Sequence, residues 1–97
     1  MTVVPTFNTT IHAPHRLQIC ALLAEVNQAE FSVIRESVDV SESVLSKQLR
    51  TLEEAGLVTI TKATRASRLR TWASLTSAGR KAYAAHVAEL RRIVGEG

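Results

Sequence analysis

The sequence predicts a mainly α-helical domain that carries one small β-hairpin, an α+β fold. Apolar residues recur at helical spacing in four separate segments, and a stretch between residues 57 and 75 is rich in β-branched residues. The length of 97 residues suits a single domain. We therefore expect one domain over residues 1–97, with no internal repeat and no low-complexity tract.

Composition limits the classes of protein that this chain can represent. Hydrophobic residues make up 45% of the chain but aromatic residues only 4%, so the core is expected to consist mostly of Leu, Ile, Val and Ala. The net charge of +3 is compatible with a polyanionic partner without requiring one. The single cysteine, Cys20, excludes an intrachain disulfide and fits a reducing compartment. Without a signal sequence or an apolar run of about 18 residues, the protein is expected in the cytoplasm.

The N-terminal third predicts an irregular arm over residues 1–11 and then a helix over residues 15–26. Pro14 suits the first helical position, because its missing N–H has no partner there. The helical stripe comprises Leu17, Cys20, Leu23 and Val26. A short helix over residues 31–38 and a turn at residues 39–41 follow.

The clearest predicted helix covers residues 41–55. Ser41 is a candidate N-cap, since its hydroxyl can accept from a free N–H of the first turn. Gly56 ends the helix, because glycine adopts the left-handed conformation without a Cβ penalty. The apolar stripe of this helix comprises Leu45, Leu49, Leu52 and Ala55.

The remaining sequence predicts a hairpin and a final helix. Two strands are expected over residues 57–64 and 69–75, joined by an exposed loop over residues 65–68. Thr76 is a candidate N-cap for a helix over residues 77–94, whose apolar residues cover much of its circumference. On a monomer such a helix would expose a large apolar surface to solvent, which favours a role in dimerisation.

This order of elements is a helix-turn-helix followed by a wing, an arrangement that places its second helix in the DNA major groove. The face of that helix opposite the apolar stripe carries no acidic residue between residues 43 and 50. Our candidates for contact with the groove are Ser43, Val44, Ser46, Lys47 and Arg50. Our candidates for phosphate contact from the wing are Lys62, Arg65, Arg68 and Arg70. In each set, the alternative is a solvated surface that contacts nothing.

Two motifs resemble a known family. Residues 43–58, SVLSKQLRTLEEAGLV, are similar to the recognition helix and first wing strand of MarR-like winged-helix regulators. Residues 75–80, LTSAGR, are similar to the LTxxGR start of the helix that follows the wing in that family. The resemblance covers roughly residues 15–94. The chain resembles the compact single-domain members, because its terminal helices are shorter than those of standard MarR proteins.

The resemblance implies a bacterial-type, cytoplasmic transcription regulator that binds a pseudo-palindromic operator as a homodimer, often under the control of a small-molecule effector. The first and last helices would form the dimer contact. Our candidates there are Leu17, Leu22, Leu90, Ile93 and Val94. The main alternative is a winged-helix module that binds protein and not DNA, and a further alternative is a small-molecule sensor whose DNA role is secondary.

Neither catalysis nor a metal or cofactor site is expected. The sequence contains no Gly-rich phosphate loop, no nucleophile motif and no paired carboxylates in a recognisable setting. His12, His15 and His86 lack the neighbouring Cys, Asp or Glu that would complete a zinc site. Cys20 is interpreted as a buried apolar residue, and Trp72 as a packing residue of the core or the hairpin.

Overall fold

The computed structural model describes residues 7–95 and contains four helices and a three-stranded antiparallel sheet in that range. The chain order is helix, short strand, two helices, hairpin and helix. The bounds are α1 (Pro14–Ala24), β1 (Ala29–Glu30), α2 (Phe31–Val38), α3 (Glu42–Glu54), β2 (Val58–Arg65), β3 (Arg68–Leu75) and α4 (Ser77–Ile93). This α+β architecture confirms the predicted fold class.

The helix ends lie where the capping residues predict them. Ser41 Oγ accepts from the Val44 amide at 3.2 Å, which begins α3, and Thr76 Oγ1 accepts from the Gly79 amide at 2.9 Å, which begins α4. Gly56 has a φ of +76°, and the amide of Leu57 donates back to the Leu52 carbonyl at 3.0 Å. This closing pattern ends α3 and turns the chain towards β2.

Helices α1, α2 and α3 enclose the core from one side and the sheet closes it from another. His86 of α4 is buried, and the other buried side chains are aliphatic apart from Cys20, as the composition predicts. They comprise Ile11, Ile19, Cys20, Leu23, Ile34, Val38, Leu45, Leu49, Leu52, Leu57, Val58 and Leu75, together with Ala29 and Ala73. Val26 lies beyond the end of α1 and is 39% exposed, so the predicted stripe of the first helix extended two residues too far.

The hairpin is longer and its turn tighter than predicted. Strands β2 and β3 pair in register from Val58 opposite Leu75 to Arg65 opposite Arg68. Ala66 and Ser67 form the whole turn, with φ values of 51° and 63°, in the conformation that two-residue hairpin turns require. The exposed loop expected over residues 65–68 is therefore a two-residue turn.

A third strand, β1, was not predicted. Ala29 pairs with Ala73 and Glu30 with Trp72, so β3 lies in the middle of the sheet, in the order β1-β3-β2. Two residues are too few to show a strand pattern in sequence. Their pairing nevertheless ties the hairpin to the start of α2.

The N-terminal segment is more ordered than the irregular arm that we expected. Over residues 7–12 the chain makes a turn, in which Asn8 Oδ1 accepts from the Ile11 amide at 3.0 Å and the Asn8 carbonyl from the His12 amide at 2.8 Å. The Ile11 side chain is fully buried in the core. Residues 1–6 of the predicted arm lie outside the described residues. Among the helices of residues 7–95, none is long and apolar enough to cross a membrane.

Candidate nucleic-acid interface

Helix α3 presents one apolar and one polar face. Leu45, Leu49 and Leu52 are at most 4% exposed and hold the helix against the core. The predicted groove residues lie on the opposite side. Ser43, Ser46, Lys47 and Arg50 are exposed, and Val44 is half-buried. The polar face therefore has the composition and the exposure that contact with base edges and phosphates requires.

A polar anchor that we had not predicted fixes α3 relative to α1. Arg16 Nη1 donates to Gln48 Oε1 at 2.7 Å, and Arg16 Nε donates to the Thr10 carbonyl. Both side chains are half-buried. Three elements thus meet at one guanidinium, so the orientation of α3 depends on more than the packing of its leucines. No local sequence pattern marks this contact, because Arg16 and Gln48 lie 32 residues apart.

A groove separates α3 from the hairpin, and basic side chains line it from both sides. Ser46 and Arg50 line it from α3, and Lys62 lines it from β2. Phe31, Ile60 and Thr71 are among the other lining residues. Glu53 also lines this groove, so one carboxylate lies beside the two basic side chains. Arg50 and Lys62 are both exposed, so the groove offers two free cations on facing elements.

The four basic wing residues do not form one patch. Since side chains alternate between the faces of a strand, the register places Lys62 opposite Thr71 on the face that continues into the core. Arg65, Arg68 and Arg70 lie on the other face of the hairpin, with Trp72. The structure therefore separates one lysine beside α3 from three arginines on the far side.

The three arginines differ in their contacts. Arg70 Nη1 donates to Glu30 Oε1 at 2.7 Å across the pairing between β1 and β3. The Arg65 guanidinium lies 5.1 Å from the ring centroid of Trp72, a cation–π distance. Arg68 is exposed beside the turn, directly opposite Arg65. The tip of the wing thus carries Arg65 and Arg68, while Arg70 is already neutralised by a carboxylate.

Trp72 belongs to the hairpin and not to the core, one of the two placements that the sequence left open. Its ring is partly buried between strand neighbours. Its Nε1 atom is buried and has no hydrogen-bond partner among the described residues. The stacked Arg65 covers the ring instead of satisfying the indole N–H.

The five candidate dimer residues occupy α1 and the far end of α4. Leu17 and Leu22 are partly buried and pack against the core of their own chain. Leu90 is half-buried, whereas Ile93 and Val94 are 44% and 68% exposed. The exposed apolar surface of this set is therefore concentrated at the C-terminal end of α4.

Among residues 7–95, the remaining titratable side chains do not assemble a metal site. Within residues 7–95, no group of three or more His, Cys, Asp or Glu side chains is placed to hold an ion. His12 and His86 do meet, with Nδ1 and Nε2 3.0 Å apart, and His15 lies exposed on α1. Cys20 is fully buried, and burial raises the pKa of its thiol to about 11, so it stays protonated and unreactive at neutral pH.

The LTxxGR motif joins three elements. Thr76 Oγ1 donates to the Gly56 carbonyl at 2.7 Å, which connects the start of α4 to the end of α3. Arg80 Nη2 donates to the Val26 carbonyl at 2.9 Å and Nη1 to the Ala24 carbonyl at 3.4 Å. The guanidinium thereby caps the C-terminus of α1. This motif holds the wing and α3 to the rest of the domain and does not itself offer a contact surface.

Comparison with known proteins points to one family. The family model of a winged helix DNA-binding domain matches residues 15–94. An uncharacterized protein of Methanocaldococcus jannaschii, MJ0432, is 29% identical over 87 residues, which cover 90% of each chain.

Solved structures share this fold along most of the chain. A transcriptional regulator homologue from Pyrococcus horikoshii superposes with a TM-score of 0.86 at 28% identity, covering 91% of this chain and 87% of the other. NadR in complex with 4-hydroxyphenylacetate superposes with a TM-score of 0.75 at 27% identity, covering 91% of this chain and 62% of NadR. A diamide-treated YodB from Bacillus subtilis, at 17% identity and a TM-score of 0.80, supports the fold alone.

Proposed function

Since this chain belongs to the family of winged-helix DNA-binding domains and is a MarR-like regulator, we propose that it controls transcription as a homodimer on a pseudo-palindromic operator. The family is one of DNA-binding domains and not of enzymes. The observation that carries the proposal is the face of α3 between Ser43 and Arg50. It is polar, exposed and free of acidic residues, and it lies opposite a buried apolar stripe.

In this proposal α3 enters the major groove and its exposed side chains contact base edges. Arg50 has the donor geometry that pairs with two acceptors of guanine, and Ser46 and Lys47 are further donors on the same face. Ser43 lies near the helix N-terminus, where free amides and the helix dipole favour a phosphate. Val44 is half-buried, so it would contact a thymine methyl only at the edge of the interface.

The groove between α3 and the hairpin would accept the sugar–phosphate backbone. Lys62 faces it from β2, so one DNA strand passing between α3 and the hairpin would meet a free cation there, while Arg50 on the facing helix would contact the bases. Glu53 in the same groove would repel a phosphate placed too deep. This arrangement would favour a backbone path near Ser46 and the outer part of the groove.

The wing would contribute at its tip. Arg65 and Arg68 flank the two-residue turn and are exposed, so they are placed to reach a phosphate or the minor groove. Arg70 was our fourth wing candidate. We propose that it acts mainly as a positioning residue, because its pairing with Glu30 ties the hairpin to the start of α2.

Dimerisation would place two copies of α3 about one helical turn of DNA apart, roughly 34 Å. Exposed apolar side chains at the end of α4 are the observation that favours a contact there. A domain of this size also gains from burying further apolar surface against a second copy. Leu17, Leu22 and Leu90 would extend this contact along α1 and α4.

We also propose that a small-molecule effector controls the affinity of this regulator for DNA. NadR, a relative in structure, has been solved with 4-hydroxyphenylacetate. A regulator of this kind would act in the cytoplasm, where its DNA is.

Selection from random-sequence duplex DNA, at two salt concentrations, tests the proposal. We expect enrichment of an inverted repeat, and an affinity that falls steeply as salt rises because bound phosphates release counterions. A lack of enrichment, together with salt-independent binding, would contradict the proposal and favour a module that binds protein. A compound that changes DNA affinity would be evidence for the effector.

A further inference from the structure

Two histidines meet where the N-terminal turn, residues 7–12, packs on α4. His12 Nδ1 and His86 Nε2 are 3.0 Å apart, and the two rings meet edge to face with centroids 5.0 Å apart. His86 is only 2% exposed, whereas His12 is exposed. The contact connects residues 74 positions apart in the sequence. It therefore links the N-terminal turn directly to α4.

The position of the protons follows from the neighbouring main chain. The Asn8 amide points at His86 Nδ1 at 3.4 Å, so that nitrogen accepts and carries no proton. A neutral His86 then has its proton on Nε2 and donates to His12 Nδ1. The result is a chain of two hydrogen bonds, from the Asn8 amide to His86 and from His86 to His12.

Every protonated form of the pair breaks this chain. A second proton on His86 would place an Nδ1–H against the Asn8 N–H, so the 3.4 Å hydrogen bond from the Asn8 amide would be lost. A second proton on His12 would place its Nδ1–H against the Nε2–H of His86. Moving the His86 proton from Nε2 to Nδ1 would remove that clash, but it would place the new Nδ1–H against the Asn8 N–H. The arrangement is thus satisfied only when both rings are neutral.

The surroundings of the pair shift the pKa of His86 in different directions. Burial lowers the pKa of His86, and the neighbouring His12 lowers it further, whereas Glu89 on the next turn of α4 raises it. Glu89 forms an ion pair with Arg92. Phe7 stacks on His12 with ring centroids 4.5 Å apart and covers one side of the pair.

We propose that the His12–His86 pair is a proton-sensitive latch, which holds the N-terminal turn on α4 at neutral pH and releases it on acidification. Release exposes Ile11, which the turn otherwise buries completely in the core. The latch is a property of the single chain and does not depend on DNA binding.

Hydrogen exchange of the Ile11 and His12 amides reports directly on the latch, because both donate to Asn8 within the turn. After correction for intrinsic exchange, we expect protection of these amides to fall about tenfold between pH 7.5 and pH 5.5. His15→Gln, which removes an exposed histidine of α1, serves as the matched control and should keep the same fall.

Two variants separate the latch from a general loss of stability. His86→Gln should make the fall in protection at Ile11 between the two pH values clearly smaller, because glutamine at position 86 does not titrate. If the buried substitution prevents folding, His12→Ala at the exposed position should leave these amides weakly protected at both pH values, while the α3 amides stay protected. Equal protection in the unmodified protein at both pH values, or an unchanged fall in His86→Gln or His12→Ala, would overturn the proposal.

Discussion

Gly79 in the first turn of α4 lies directly against the carbonyl of Leu57. A Cβ built at Gly79 would stand 2.0 Å from the Leu57 oxygen and 2.9 Å from its carbon. The same oxygen accepts from the Thr76 amide at 3.0 Å, so it cannot move away without breaking that bond. The glycine of the LTxxGR motif is thus required by the close approach of α4 to the start of the wing.

Gly79→Ala should therefore destabilise the fold by about 3 kcal/mol, because two backbone segments must separate to admit a methyl group. Chemical denaturation measures this free energy of unfolding. Ala84→Ser adds one atom at an exposed position of the same helix and should change it by no more than about 0.5 kcal/mol. Similar stability of the two variants would show that α4 does not pack against Leu57 in this way.

Arg50→Ala should weaken binding to the selected operator by about 1–3 kcal/mol and relax sequence preference at one position, because Arg50 is our main candidate for base contact. Arg91→Ala removes the same charge from an exposed position on α4 and is the control. Fluorescence anisotropy with the operator and a scrambled duplex measures both effects. An equal loss of operator affinity in Arg50→Ala and Arg91→Ala would mean that Arg50 contributes to binding only through the net charge of the protein.

Arg68→Ala and Arg70→Ala should differ in the salt dependence of binding. Arg68 is free at the tip of the wing, so its loss should reduce the slope of log affinity against log salt by about one. Arg70 is already paired with Glu30, so its loss should leave the slope nearly unchanged. Anisotropy titrations at several salt concentrations distinguish the two. A larger slope change for Arg70→Ala would place the DNA on the Glu30 side of the hairpin.

The free protein should become less stable as the pH drops below about 6.5, which is the ordinary pKa of histidine. Since burial lowers the pKa of His86 in the folded state, the unfolded chain binds more protons there as the pH drops. This loss of stability begins near the pKa that His86 has in the unfolded chain, and it is complete below the lower pKa that His86 has in the folded protein. Urea denaturation at pH 7.5 and pH 5.5 measures it, and His86→Gln should show a smaller difference between the two pH values.

The features that the sequence predicted well are local. Ser41, Thr76 and Gly56 act within one turn of their own position, so residue type and spacing were sufficient to place the ends of α3 and the start of α4. Leu45, Leu49 and Leu52 of the predicted stripe of α3 are likewise buried, as a period of 3.6 residues predicts, whereas Ala55 is the exposed C-cap residue. These features, together with the order of the elements, account for the correct fold class.

The features that were missed depend on distant residues or on short segments. The pairing of Arg70 with Glu30 and that of Arg16 with Gln48 bridge 40 and 32 residues, so no spacing rule indicates them. The Ala66–Ser67 turn lacks the glycine or asparagine that marks a tight hairpin turn. The four basic wing residues were predicted to act together, because their division between the two faces of the hairpin depends on the strand register, which the sequence does not show.

In the proposed complex, two copies of α3 lie in successive major grooves of the operator. Methylation of guanine N7 in the selected duplex, followed by separation of bound and free DNA, tests this most directly because N7 lies in the major groove. We predict two symmetric clusters of interfering guanines, centred about 34 Å apart on one face of the duplex, with interference weakened in Arg50→Ala. A single cluster, or binding that is indifferent to N7 methylation throughout the site, would contradict this placement of the two α3 helices.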